Sequence, residues 1–387
     1  MSNPRRTFLK QTALAGTGIS LMGAALAEAD FAHSKKDFTA TPAEAPGPDP
    51  AQARWMEYQF GMFLHFGINT YYDTEWSDGT LDPAKVRPDA LDTDQWCSVA
   101  KEAGMKYVIL VTKHHDGFCN WPTKYTDYSV QATPLKIDIV KRVSESAKKY
   151  GLAFGIYYSL WDRHEKTHDT DEHAYVEFMK NQLRELLTQY GPICELWFDG
   201  FWKKQRSGWK KTAKTTSGAA ANAENKDKSE FAEPNDFIAS WRMEGAYRWQ
   251  MDHLYQFVKS LQPDCLIGNN ATTAFPGVPL HPVDYRCGEK ATDYTKDQKV
   301  WKWLDQDKYI PLQIETTMSQ KGKKGDFESG SWFWHDWDHS VASKAQIKEW
   351  QKKARELQAN LLLNCGPMGN GQLRPEDVAV LRSLGQP

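Results

Sequence analysis

The sequence predicts an α/β chain folded as a (β/α)8 TIM-like barrel, and three observations carry that expectation. Cys194-Glu195-Leu196-Trp197-Phe198-Asp199-Gly200 is a short apolar run that breaks at one carboxylate and a glycine, as a buried strand does when its last side chain must face a cavity. The same form recurs upstream at Phe63-Leu64-His65-Phe66-Gly67, at Val108 to Thr112 before His114-His115-Asp116, and at Phe154 to Ser159. Between these runs lie stretches of helical period, so parallel pairing with right-handed crossovers is the economical topology. Polar residues gathered at the C-terminal ends of parallel strands mark the working face of a barrel.

At the N-terminus, Arg5-Arg6-Thr7-Phe8-Leu9-Lys10 and a mildly apolar stretch to Leu26 read as a twin-arginine export signal, with small residues at Ala25-Leu26-Ala27 for cleavage. Residues 1–29 are therefore set apart from the fold, and a periplasmic or secreted location is expected. Residues 30–50, rich in Ala, Pro, Asp and Lys, read as a linker. The barrel is expected over 51–387.

In that span the first strand ends near His65 and Gly67, and Asn69 to Gly79 forms an aromatic and polar loop. Asp92 to Gly104 has Trp96, Val99 and Ala103 at helical spacing, with Asp92 or Thr93 as cap and Gly104 as stop. The second strand follows from Lys106 to Thr112. Asp138 to Tyr150 is a helix closed by Gly151, and the third strand runs to Ser159. His173 to Tyr190 is a longer helix that Gly191-Pro192 ends before the strand of Asp199.

Residues 203–246 are too polar to build a core and read as an inserted loop on the same face as Asp199. Helical period returns from Tyr247 to Leu261, then Cys265 to Gly268 gives a fifth strand ending at Asn269-Asn270. Val283 to Tyr285 and Ile310 to Glu315 are short later strands. A helix over Ala345 to Ala359, a last strand over Asn360 to Asn364 and a closing helix over Pro375 to Leu384 bring the strand count to eight.

Composition narrows the function. With 48 basic and 50 acidic residues, net charge −2, the chain offers no electrostatic footprint for nucleic acid or a membrane surface. Sixteen Trp supply flat apolar faces with a polar edge, suited to sugar rings as well as to a core. The six cysteines form no close pair, which excludes a zinc ribbon or a redox dithiol motif. No metal-ligand spacing surrounds His114-His115, so neither a metal nor another cofactor is expected. Two adjacent histidines after an apolar strand are expected to point to opposite sides of the chain, one into the cavity and one into its wall.

Asp after a strand is often only a helix cap, but Gly200-Phe201-Trp202 is a poor start for a capped helix. Asp199 is therefore the first candidate for chemistry. Glycoside hydrolysis needs two carboxyls across one bond, and Glu75, Glu289 and Glu315 are all placed to be the second. Spacing does not choose among them.

Five blocks in order, Phe60 to Gly67, Thr112 to Phe118, Phe154 to Ser159, Leu196 to Gly200 and Asn360 to Pro367, resemble the α-L-fucosidases of glycoside hydrolase family 29. The resemblance implies a retaining barrel enzyme with Asp199 as nucleophile. It further implies Glu289 as acid/base, since Asp284-Tyr285-Arg286-Cys287-Gly288-Glu289 has the family's form, with Glu315 as the alternative. His65, Glu75, Trp76, His114, His115, Tyr158 and Trp197 would hold the fucose of a glycan substrate, and Trp332 would line its methyl side. The chain departs from the family at Asn269-Asn270-Ala271, where a sugar-contacting arginine is common; Arg286 is the candidate to replace it. No C-terminal β-sandwich is expected. A glycosidase for α-L-galactose and a non-catalytic sugar-binding barrel are the rival readings.

Overall fold

The computed structural model describes residues 45–200, 248–270, 281–290, 292, 295–303, 306–322 and 330–385. The expected export signal and the inserted loop at 203–246 lie outside them. Eight parallel strands close a barrel in the order β1 (Phe60–Leu64), β2 (Tyr107–Lys113), β3 (Ala153–Ser159), β4 (Glu195–Asp199), β5 (Leu266–Asn269), β6 (Tyr285–Glu289), β9 (Leu312–Thr317) and β10 (Asn360–Asn364), with β10 returning to β1. The expected sixth strand is displaced by a few residues, so that Glu289 ends it. Between β6 and β9 a two-stranded antiparallel sheet, β7 (Val300–Trp303) with β8 (Gln306–Tyr309), was not foreseen. Gln306, Asp307 and Lys308 are exposed and carry no apolar period to reveal a strand.

Alternation along each strand separates two cores. Phe63, Tyr107, Ile109, Val111, Tyr157, Trp197, Tyr285 and Cys287 pack inside the barrel, while Met62, Leu64, Val108, Leu110, Tyr158, Leu196 and Phe198 face the surrounding helices. Inside, close approach demands glycine. A Cβ on Gly61 would lie 2.4 Å from the Tyr107 ring, and one on Gly268 would lie 2.2 Å from that of Tyr285. Each glycine yields its volume to a tyrosine of the next strand, which keeps the interior dense.

The helices α2 (Thr93–Glu102), α3 (Ile139–Tyr150) and α4 (Glu172–Gln189) start where the sequence places them, capped by the side chains of Asp92, Asp138 and Asp171, each worth about 1 kcal/mol. The linker expected to reach residue 50 ends sooner. Pro50 opens helix α1 (Pro50–Met56), and Asp49 and Gln52 close a capping box over its first turn. This helix seats Trp55, 2 % exposed, across the foot of the barrel, where its indole N–H donates to Glu195. Among the described residues no helix is long and apolar enough to cross a membrane.

Candidate active site

The inward positions at the strand C-termini converge on one cavity wall. Strand β4 points Glu195, Trp197 and Asp199 inward in turn. Asp199 Oδ2 accepts from the Tyr157 hydroxyl at 2.9 Å, and Oδ1 accepts from the Gly200 N–H at 2.8 Å and from Asn270 Nδ2 at 3.1 Å. Gly200 can turn back this way because it has φ +81°; a Cβ there would meet Trp161 at 2.9 Å. Burial first, and then the charge of Glu289, push the Asp199 carboxyl up to about 7 against these hydrogen bonds.

Glu289 ends β6, half-buried, and the same Asn270 amide donates to its Oε2 at 2.7 Å. One side chain thus spans both carboxylates. Laid end to end, its two bonds keep Asp199 Oδ1 and Glu289 Oε2 within about 6 Å of each other.

Glu315 is paired across from Glu289 on β9 but lies deeper, fully buried. Its carboxyl accepts from Trp197 Nε1 at 3.1 Å and from the Gly288 N–H at 2.6 Å, and burial holds it well above the ordinary range. It braces Trp197, two residues before Asp199, and Gly288, next to Glu289, and has no open face of its own.

Three imidazoles cluster beside Asp199. His65 Nδ1 lies 2.7 Å from Asn364 Oδ1, and its ring is 5.1 Å from Trp332; burial lowers it to about 3. His115 Nδ1 is 2.7 Å from Ser159 Oγ, and its Nε2 is 3.4 Å from Asp199 Oδ2. His114 stacks on Tyr157 with centroids 5.6 Å apart. Burial drives both His114 and His115 well below their ordinary value, so they work as neutral rings. The expectation that they part to opposite sides fails, for their centroids are 4.1 Å apart. Strand pairing shifts register between Val111 and Lys113 and ends there, so alternation no longer governs the two residues.

Glu75 returns from the loop after β1 to the loop after β9. Its carboxylate accepts from the N–H groups of Trp332 at 3.1 Å and Phe333 at 3.2 Å, and His335 Nε2 lies 2.8 Å away. Burial opposes a charge on His335, but Glu75 and Asp73 outweigh it and hold the imidazole above its ordinary value. Trp76 stands edge-on to His115 at 5.2 Å and to Trp161 at 5.8 Å. Trp197 stacks on Tyr157 at 5.2 Å, beneath the carboxylates.

Two expectations are corrected. Tyr158 does not reach the cavity: it is the outward neighbour of Tyr157, and its hydroxyl donates to Gln182 Oε1 at 2.7 Å in the helical layer. Arg286, the outward residue between Tyr285 and Cys287, is bound to Asp297 and lies over Trp301, so it does not stand in for the missing arginine. The sequence reading missed Tyr157, Asn270, Asn364 and Trp161. Parity would have found Tyr157, since an inward Ser159 makes Tyr157 inward as well.

The α-L-fucosidase family model matches residues 83–386. "Alpha-L-fucosidase 1" of Arabidopsis thaliana is 44% identical over 158 residues, 40% of this chain and 31% of that protein. A glycoside hydrolase 29 family member from an unknown rumen bacterium superposes with TM-score 0.67 at 28% identity, covering 88% of this chain and 57% of that one. A fucosidase from Bacteroides thetaiotaomicron, trapped as a covalent intermediate with 2-fluoro-fucosyl fluoride, shares the fold with TM-score 0.61 at 22% identity, over 89% of this chain and 75% of that one. The matches thus span about a third of the curated relative and little more than half of the rumen protein. With its barrel closed, its carboxylates paired at the rim and the family model covering most of its length, this chain belongs to the α-L-fucosidase family.

Proposed function

We propose that this chain is a retaining exo-glycosidase that removes terminal α-L-fucosyl residues from glycans, with Asp199 as nucleophile and Glu289 as acid/base. The observation that supports the reading is the Asn270 bridge, whose one amide donates to both carboxylates and so brings the two together. In the first step Asp199 attacks the anomeric carbon as the bond to the leaving oxygen breaks, and Glu289 gives that oxygen its proton. In the second, Glu289 takes a proton from water, and the resulting hydroxide displaces Asp199 from the sugar. Asn270, Tyr157 and the Gly200 N–H orient the nucleophile throughout. His65, His114 and His115, neutral and close together, are suited to hydroxyl recognition, and Trp332 with Phe333 and Phe63 supplies an aromatic wall for an apolar methyl group.

Proton NMR of the sugar first released from an aryl α-L-fucoside tests this directly. α-L-Fucose as the first anomer is expected; β-L-fucose would establish inversion, and release from the α-L-galactoside alone would reassign the sugar. Arg5-Arg6 and the residues that follow support export out of a bacterial cytoplasm, which cell fractionation of the chain with both arginines changed to lysine would check. All six cysteines are free, which suits a protein that folds before it is exported.

A further inference from the structure

Lys290 follows Glu289 at the end of β6 with φ +57°, a left-handed conformation that residues with a Cβ rarely adopt. The turn is held by its own N–H, which donates to the Glu315 carbonyl at 2.7 Å. Its ammonium donates to the Gly330 carbonyl at 3.0 Å and lies 5.0 Å from the centroid of the Trp332 ring. A strained residue is thereby anchored at both ends, once to the strand beneath Glu289 and once to the segment carrying the aromatic wall.

The ionisable groups facing this ammonium come from three elements. They are Glu289 on its own strand, Glu75 from the loop after β1, and His65 at the end of β1. Burial lowers Lys290 to about 8, and Glu289 and Glu75 hold it up against that, so it stays mostly cationic at neutral pH.

We propose that Lys290 is a positioning residue for the reaction: it locks the Glu289 strand end to the Gly330–Trp332 wall, fixing the proton donor relative to the bound sugar. The carbonyl bond and the ring contact join those two pieces, and the N–H of the strained turn ties the same strand end to the neighbouring strand at Glu315. Arg286, the alternative cation on the same strand, is committed to Asp297 on the outer side. The proposal rests on the fucosidase reading, and its experiment separates the two.

The test compares kcat/KM of the full chain, K290M and K290R on two substrates. Phenyl α-L-fucoside needs its leaving oxygen protonated, whereas 2,4-dinitrophenyl α-L-fucoside hardly does. K290M is expected to lose about 10–100-fold on the phenyl substrate and less than about 3-fold on the dinitrophenyl one, because only the proton-transfer part of the step suffers. K290R, which keeps charge, carbonyl bond and ring contact, is expected within about 3-fold of the parent on both. Equal losses in K290M on both substrates, no loss on either, or a K290R as impaired on the phenyl substrate as K290M would overturn the inference while the fucosidase reading stood. Should K290M not fold, K290R decides, since a large loss in it would deny the part given to charge. A parent chain inactive on both substrates would overturn the reading itself and the inference with it.

Discussion

One strand carries two inward carboxyls, and their fates differ. Glu195 lies at the foot of the barrel and Asp199 at the rim, and burial is the leading cause that pushes each up to about 7. At the foot, Trp55 Nε1 and Gln313 Nε2 donate to Glu195, with the Tyr285 hydroxyl at 3.3 Å, and helix α1 closes the space below. At the rim, Asp199 has donors of comparable number, but it shares one of them with a second carboxylate. A shifted carboxyl is therefore no sign of a site by itself. What separates the two ends is whether the last neighbour is a plug such as Trp55 or a partner such as Glu289.

The comparison breaks most sharply on turnover. Asp199→Ala is expected to cost about 10⁴-fold or more in kcat, and Glu195→Gln to leave kcat within about 3-fold once folded protein is counted. Comparable losses at both ends, measured on an aryl α-L-fucoside, would erase the distinction.

Stability should separate the two ends as well. Because the folded Asp199 carboxyl is raised from its ordinary value to about 7, the folded state holds a proton that the unfolded chain releases earlier. The stability this contributes is whole below the unfolded value and is lost as pH rises through about 7. Asp199→Asn, which cannot ionise, is therefore expected to stabilise the chain by up to ~4 kcal/mol at pH 8, with the gain vanishing near pH 4. Glu195→Gln escapes the same ionisation penalty, since that carboxyl is also raised to about 7, but it sets amide donors against the Trp55 and Gln313 donors, so it should destabilise by ~2–4 kcal/mol near pH 4 and by less at pH 8. Denaturant midpoints at both pH values check the pair.

A finer contrast lies in adjacent residues of β3. Tyr157→Phe removes a donor to Asp199 and is expected to lower kcat/KM about 10–100-fold, whereas Tyr158→Phe should cost ~1 kcal/mol of stability with turnover intact. The reverse ranking would show that the strand faces are misassigned. The smallest effect concerns the acid limb of kcat/KM. It should fall as pH drops through about 7, where Asp199 takes up a proton, with the apparent value belonging to the Asp199–Glu289 pair.

These contrasts also show what sequence reveals. The barrel was legible because each strand is a compact apolar run with a polar end, and Asp199 stood out because it closes such a run beside a glycine. The inward or outward sense of Tyr157 and Tyr158 was not, since two adjacent tyrosines look alike until the strand phase is fixed. Asn270 drew notice only as the residue before a missing arginine, and its bridging role depends on two strands meeting in space. Trp55 sits in a stretch whose first turn looks like linker, and only the foot of the barrel gives it a task.

The central claim is that Asp199 forms a covalent bond to the sugar while Glu289 handles the proton. Incubation with 2-fluoro-fucosyl fluoride, followed by proteolysis and mass spectrometry, tests it most directly. The account predicts a fluorofucosyl adduct on the peptide carrying Asp199, slow to leave and absent from Asp199→Asn. An adduct on Glu289 or Glu315, or turnover of fucosides that proceeds with no adduct at all, would contradict it.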